Sequence, residues 1–166
     1  VLFFLDILQH LIDKQDELIG EWIKKNASYE QDICKILDML PQRSRYYDAT
    51  WGPYFIEFKK GKSVWLDLVR YSETLLKTNE DSMKETVTAF FVPSKDKMKI
   101  EEIILVETSS IVNALSLDKE TAEIISSLND KLPRSLNAQA SLTLGDLRNI
   151  SINTKLLKAI KAQKIT

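Results

Sequence analysis

The stretch Tyr46-Tyr47-Asp48-Ala49-Thr50-Trp51-Gly52-Pro53-Tyr54-Phe55-Ile56-Glu57-Phe58-Lys59 constrains this 166-residue chain more than any other. Tyr54 to Phe58 is bulky and β-favouring, and Gly52-Pro53 gives a turn signal before it. The segment reads as a β-hairpin from about Arg45 to Lys60. A strand this apolar buries at least one face, so the acid and the lysine inside it need a reason. Side chains at i and i+2 share a face of a strand, which groups Phe55, Glu57 and Lys59. With Trp51-Gly52 as the turn, Asp48 pairs opposite Phe55. It then stands diagonal to Glu57 on the same face, within reach of a shared ion. A one-residue change in that loop would turn Asp48 away.

Two carboxylates and a lysine in this arrangement suit metal-assisted phosphodiester hydrolysis. Asp48 and Glu57 offer hard oxygen ligands to Mg²⁺, which takes only one or two carboxylates from a protein and keeps several waters. The carbonyl of Phe58, between the two functional side chains, is a further candidate ligand. Such an ion polarises a phosphoryl oxygen and lowers the pKa of a water, and Lys59 is placed to orient that water and stabilise transition-state charge. The alternative is an edge strand on which Glu57 and Lys59 form a surface ion pair. The acid-x-Lys triplet occurs once in the chain, inside an apolar strand behind a Gly-Pro turn.

Asp48-x₈-Glu57-x-Lys59 resembles the catalytic signature of the PD-(D/E)XK nuclease superfamily, particularly type II restriction endonucleases. The resemblance implies that Asp48 and Glu57 bind the metal and that Lys59 assists catalysis. Tyr47 stands where the family places a proline, a position that varies within it. The order helix, hairpin, helix, strands over about residues 28–106 is similar to the family's core. In that family an acid on the preceding helix often reaches the metal, a part open to Glu30 or Asp32. Both also read as first-turn acids that favour the helix dipole.

The inventory excludes other chemistries. His10 and Cys34 are the only residues of their types, too few for a zinc site built from several His and Cys ligands. A Ser-His-Asp triad could draw only on His10, which lies in a helical pattern with Leu5, Leu8, Leu11, Ile12, Ile19, Trp22 and Ile23 and reads as a core-margin residue. Neither a P-loop nor a dinucleotide glycine fingerprint is present. Asp6 cuts short the apolar run from Val1 and no basic segment precedes it, so neither a signal peptide nor a membrane span is expected. A lone cysteine fits a cytoplasmic protein.

One domain over 1–166 is expected, with a core of about 28–106 and helical additions at 1–27 and 107–166. The fold class is α/β (mixed α+β): a restriction-endonuclease-like core whose central mixed β-sheet is flanked by helices. The N-terminal helix, with Trp22 in its apolar stripe, reads as core or as a dimer interface. A second helix begins at a capping box of Ser28 and Gln31, carries Ile33, Ile36, Leu37 and Leu40, and ends at Pro41. Ser63 is expected to cap a third, with Trp65, Leu68, Val69, Ser72, Leu75 and Leu76 on one side. Thr86–Val92 and Ile100–Val106 read as strands. Helices follow at about Ser109–Leu115, Asp118–Lys131 and Asn153–Lys161, with room for a short strand at Ala140–Leu144.

The net charge is −1, with a pI near 6.0, which argues against a protein that coats nucleic acid non-specifically. The distribution is uneven. Seven basic residues stand against Asp146 alone between Lys131 and Thr166, a balance of +6. Between Arg43 and Lys62 the balance is +3, from Arg43, Arg45, Lys59, Lys60 and Lys62 against Asp48 and Glu57. Such asymmetry suits a cleft that attracts phosphates, and Arg43, Arg45, Lys60 and Lys62 are the candidate DNA contacts. The C-terminal patch reads equally as a solvated helix face. Arg43 and Arg45 precede the hairpin, where a guanidinium can donate two hydrogen bonds to guanine O6 and N7. Met39 and Leu40 beside them read as core, or else as a wedge between base steps.

Together these readings lead to an expected function. It is a Mg²⁺-dependent type II restriction endonuclease, with Mn²⁺ as a possible substitute, acting on double-stranded DNA. A homodimer would cut a short GC-containing palindrome, and the resemblance implies 5′-phosphate ends. A structure-specific nuclease, such as a junction resolvase or repair nuclease, and a non-catalytic α/β interaction module are the alternatives.

Overall fold

A computed structural model of the protein describes residues 2–24, 30–42, 47–62, 64–77, 86–129, 131, 139–155 and 157–158. The helices are α1 (Leu2–Asp13), α2 (Gln15–Leu18), a π-helical turn (Ile19–Lys24), α3 (Glu30–Ile36), α4 (Leu68–Lys77), α5 (Thr108–Ala114), α6 (Lys119–Asn129) and α7 (Leu144–Ile150). The strands are β1 (Leu40–Pro41), β2 (Ala49–Trp51), β3 (Tyr54–Lys60), β4 (Val64–Asp67), β5 (Thr86–Pro93), β6 (Ile100–Glu107) and β7 (Gln139–Leu142). Five strands form a mixed sheet in the order β1-β2-β3-β5-β6, while β4 and β7 pair as a separate antiparallel ribbon. The fold is α/β, a mixed sheet flanked by helices. Among the described residues no helix is long and apolar enough to cross a membrane.

Period-two alternation in β3 divides the molecule into two cores. Ile56 and Phe58 project to one face, with Val87, Ala89 and Phe91 of β5 and Leu105 of β6, and α1, α2, the π-helical turn and α3 bury their apolar stripes there. Trp22 is part of this core and meets Phe91 edge-on at 5.1 Å; Leu11, Ile19 and Ile23 of the N-terminal stripe are buried with it, while Leu5 and Ile12 stay exposed. The opposite face carries Glu57 and Lys59. Beyond them Phe90, Val92, Ile104 and Val106 build a second core with Leu66, Tyr71, Ile111 and Leu147. Strands β3 and β5 are parallel, and parallel neighbours need a crossover. The segment β4–α4 supplies it, and Leu68, Tyr71 and Leu75 of α4 pack against the second core.

The β2–β3 turn differs from expectation. Trp51 pairs with Tyr54, which leaves Gly52 and Pro53 as the two central residues. Gly52 has φ +58°, a left-handed conformation that suits glycine at the first central position and that tryptophan would resist. The register therefore runs Ala49 with Ile56 and Thr50 with Phe55, and one step further places Asp48 level with Glu57, not opposite Phe55.

Three other expectations change. Residues Val64–Asp67 form a strand with alternating burial, so Trp65 is not helical and stands 58% exposed. Helix α4 begins four residues later than the Ser63 reading implies, because Asp67 is the better cap: its Oδ1 accepts from Val69 N at 3.0 Å and Arg70 N at 3.3 Å. Leu40 is 70% exposed on the edge strand β1, whereas Met39 is buried as expected. The short strand expected at Ala140–Leu144 is β7, and a helix that periodicity did not announce, α7, follows it behind a capping box of Thr143 and Asp146. Ser28, the proposed cap of the second helix, lies outside the described residues, as does Ser63.

Asp67→Ala should cost about 1 kcal/mol of stability by removing the α4 cap, read as a lower urea midpoint at unchanged slope. An unchanged midpoint would show that the Asp67 cap adds nothing to α4.

Candidate active site on the α4 face of the sheet

Asp48 is the last residue before the chain joins β2. Its N–H donates to Ile56 O at 2.9 Å, and its carboxylate Oδ2 accepts the main-chain N–H of Phe58 at 2.7 Å. The side chain thus takes the place of a ladder acceptor beside the Glu57–Phe58 peptide. A residue's N–H and C=O point to the same edge of a strand, so the Phe58 carbonyl faces the edge where Asp48 sits. Among the described residues the second oxygen, Oδ1, takes no hydrogen bond.

Glu57 lies in the middle of β3 with its side chain only 8% exposed, next to Thr88 of β5 in register. Arg70, in the first turn of α4, donates to both carboxylate oxygens, Nη1 to Oε1 and Nη2 to Oε2. This is the bidentate fork that guanidinium geometry favours. Lys59 Nζ stands 4.0 Å from Oε1 on the same face. Burial pushes the Glu57 carboxyl above its ordinary value of 4.5, with Asp48 adding to the rise and Arg70 and Lys59 opposing it. Burial works against the Arg70 charge as well, but its bonds to Glu57 outweigh that and raise its pKa. The forked geometry, with one guanidinium N–H on each carboxylate oxygen, is that of an ionised pair. Tyr71, the next residue of α4, is buried over Thr88, and loss of hydration lifts its phenol to about 12.

The structure brings Asp48, Glu57, Lys59 and the Phe58 main chain together. The other expected residues fare differently. Lys60 turns toward the π-helical turn, where Nζ donates to Trp22 O at 2.9 Å and lies 5.3 Å from the Trp22 ring centre. That contact is structural, and it directs the ammonium away from Glu57. Lys62 is exposed beyond the end of β3. Arg43 and Arg45 lie outside the described residues, as does the side chain of Glu30. Asp32 is exposed on α3, which packs on the other face of the sheet. His10 stacks on Trp51 with centroids 4.9 Å apart, and its Nε2 meets the Leu37 carbonyl, which satisfies it as a core-margin residue.

Arg70 is the residue that sequence reasoning missed. A signal existed, since a buried strand acid requires a counter-charge and Arg70 is the single arginine between Arg45 and Arg134. Beside Lys59, a cavity of about 200 Å³ opens between Lys60, Gly61, Val64, Trp65, Phe90 and Phe91.

The donor set fits Mg²⁺ in kind: two carboxylates and a main-chain carbonyl, all hard oxygens. Among the described residues no group of three or more His, Cys, Asp or Glu side chains could hold a metal, and a Mg²⁺ site does not require a third. Comparison with family models, curated proteins and solved structures finds no match to this chain.

The raised carboxyl has a consequence for folding. A carboxyl with a higher pKa in the folded state holds its proton more tightly there, so stability falls as pH rises from about 4.5 through the folded value. Denaturant titrations across pH 4–8 should show wild type losing stability relative to Glu57→Gln within that window and running parallel to it above. Parallel behaviour throughout would mean that Glu57 titrates normally.

Proposed function

We propose that the protein is a Mg²⁺-dependent endodeoxyribonuclease of the PD-(D/E)XK type, acting as a type II restriction enzyme on double-stranded DNA. One observation carries this reading. Asp48 and Glu57-x-Lys59, nine residues apart, meet on one hairpin, with the Phe58 carbonyl at the same edge. The element order supports it too: helix α3, the hairpin, crossover helix α4, then β5 parallel to β3. This is the order that the resemblance implies for the core.

Asp48 and Glu57 would hold the ion, with the Phe58 carbonyl as a third oxygen. Bound Mg²⁺ supplies Lewis-acid polarisation of the phosphoryl group and acidifies water. The chain's own residues do the positioning. The Phe58 N–H fixes Asp48 Oδ2 so that the carboxylate cannot rotate freely, and the rigid strand β3 carries Glu57 and Lys59 on one face. Lys59 directs its ammonium toward the attacking oxygen and offsets charge that grows on the phosphate. A homodimer belongs to the proposal because two antiparallel strands present two bonds to cut. A GC-containing palindrome rests on Arg43 and Arg45, and a cytoplasmic location on the single buried thiol of Cys34.

The Glu57–Arg70 pair favours a second reading, in which the acid is a structural partner of α4 and the protein a non-catalytic interaction module. Incubation of the pure protein with plasmid DNA and Mg²⁺ or Mn²⁺ separates the two. The nuclease should give discrete fragments with 5′-phosphate ends, whereas a module gives none. Asp48→Ala and Lys59→Ala should each lower cleavage by at least about 100-fold while leaving DNA binding within about threefold. Wild-type cutting by either variant would remove that residue from the mechanism.

A further inference from the structure

The site as it stands has a competitor for its metal. Both oxygens of Glu57 are bonded to Arg70, so the carboxylate that would bind a cation already holds one. Resting on the nuclease reading, we propose that Arg70 is an exchangeable positioning residue: it keeps Glu57 paired while the site is empty and moves its guanidinium to the substrate phosphate when a divalent cation takes the carboxylate.

Charge arithmetic supports the exchange. Without a cation, Asp48 and Glu57 balance Lys59 and Arg70, and the cluster is neutral. A divalent cation raises it to +2, which leaves Arg70 facing like charge in a partly buried place. A phosphodiester lowers that excess and offers two non-bridging oxygens, the same forked target that the Glu57 carboxylate presents to the guanidinium. The position of Arg70 suits such a move. It lies in the first turn of α4, beside the Asp67 cap, and its side chain is 17% exposed, so it is not sealed from solvent. Asp48 is also close enough for its charge to act on Arg70. The pair thus lowers metal affinity in the absence of DNA, and DNA lifts that penalty, because the competent form of Glu57 is a minor fraction until Arg70 has another partner.

The test measures metal binding apart from catalysis. Mn²⁺ alone is titrated into the full chain without nucleic acid, with free ion followed by electron paramagnetic resonance. Arg70→Gln should bind Mn²⁺ at least about tenfold more tightly than wild type. Arg70→Lys keeps the charge but not the fork, so it should fall between the two, and it remains informative if the glutamine variant does not fold. A merely structural arginine would not give this order, since its loss would loosen the site and weaken the ion. Equal or weaker Mn²⁺ binding by the folded variants overturns the proposal.

A second arm uses duplex DNA and Ca²⁺, read by fluorescence anisotropy. Arg70→Gln should weaken binding about tenfold with Ca²⁺ and by much less without metal. An equal loss in both conditions overturns the transfer to phosphate. The two readings fail separately. If wild type cuts no DNA while the Mn²⁺ order holds, the exchange stands and the nuclease assignment falls. If wild type cuts and the order is absent, the exchange falls alone.

Discussion

Glu57 is a carboxylate held out of water in a central strand, beneath a helix, and this arrangement depends on Arg70. Several kcal/mol of hydration are lost when such a group is buried, and only a well-formed partner offsets that loss. Removing one member of a buried pair typically costs about 3–5 kcal/mol, whereas apolar replacement of both can be neutral. A sheet built only for stability would therefore carry a leucine or valine at position 57. The polar pair in the middle of β3 is a departure that packing alone does not call for, and it joins the helix that crosses over the sheet to the strand beneath.

That pairing also explains why the two faces of the sheet differ. On the α1–α3 side the strands meet an apolar layer including Ile56, Phe58, Val87, Ala89, Phe91 and Leu105. On the α4 side the apolar residues of β5 and β6 are matched on β3 by Glu57 and Lys59. The second core is complete over β5 and β6 and gives way to charge at β3. Tyr71 marks the boundary, with its phenol over Thr88 and its ring among the apolar residues. The polar cluster is consequently bounded by rigid, well-packed elements, the kind of support that holds a side-chain geometry fixed.

Much of this was legible in the sequence. The strands at 86–93 and 100–107 were readable because their runs of β-branched and aliphatic residues admit little else. The mixed α/β class followed from helical and strand periodicities taking turns along the chain. The grouping of Asp48, Glu57 and Lys59 was legible as well, since it needs only a hairpin and the two-residue period. The register was not, because it depends on which residue of Trp51-Gly52-Pro53 adopts a positive φ, a matter of about 1–2 kcal/mol at one residue. Trp65 misled for a related reason: Val64-Trp65-Leu66-Asp67 alternates, but its pairing partner is β7, more than seventy residues away. Arg70 escaped because its role is set by how α4 lies across β3, which no local pattern encodes. The helix at 144–150 has a clear capping box, yet its few apolar positions fall short of a convincing stripe.

The hydrogen bond from Gln42 N to Asp48 O, at 2.9 Å, ties together the two ends of the five-residue segment between them. Asp48 is also held from the β3 side by Ile56 O and Phe58 N. Closure entropy grows only with the logarithm of loop length, so lengthening the segment costs little. The protein thus separates what must stay constant from what can drift. A longer or shorter connection between Gln42 and Asp48 would leave the carboxylate beside Phe58 held by the same bonds from β3.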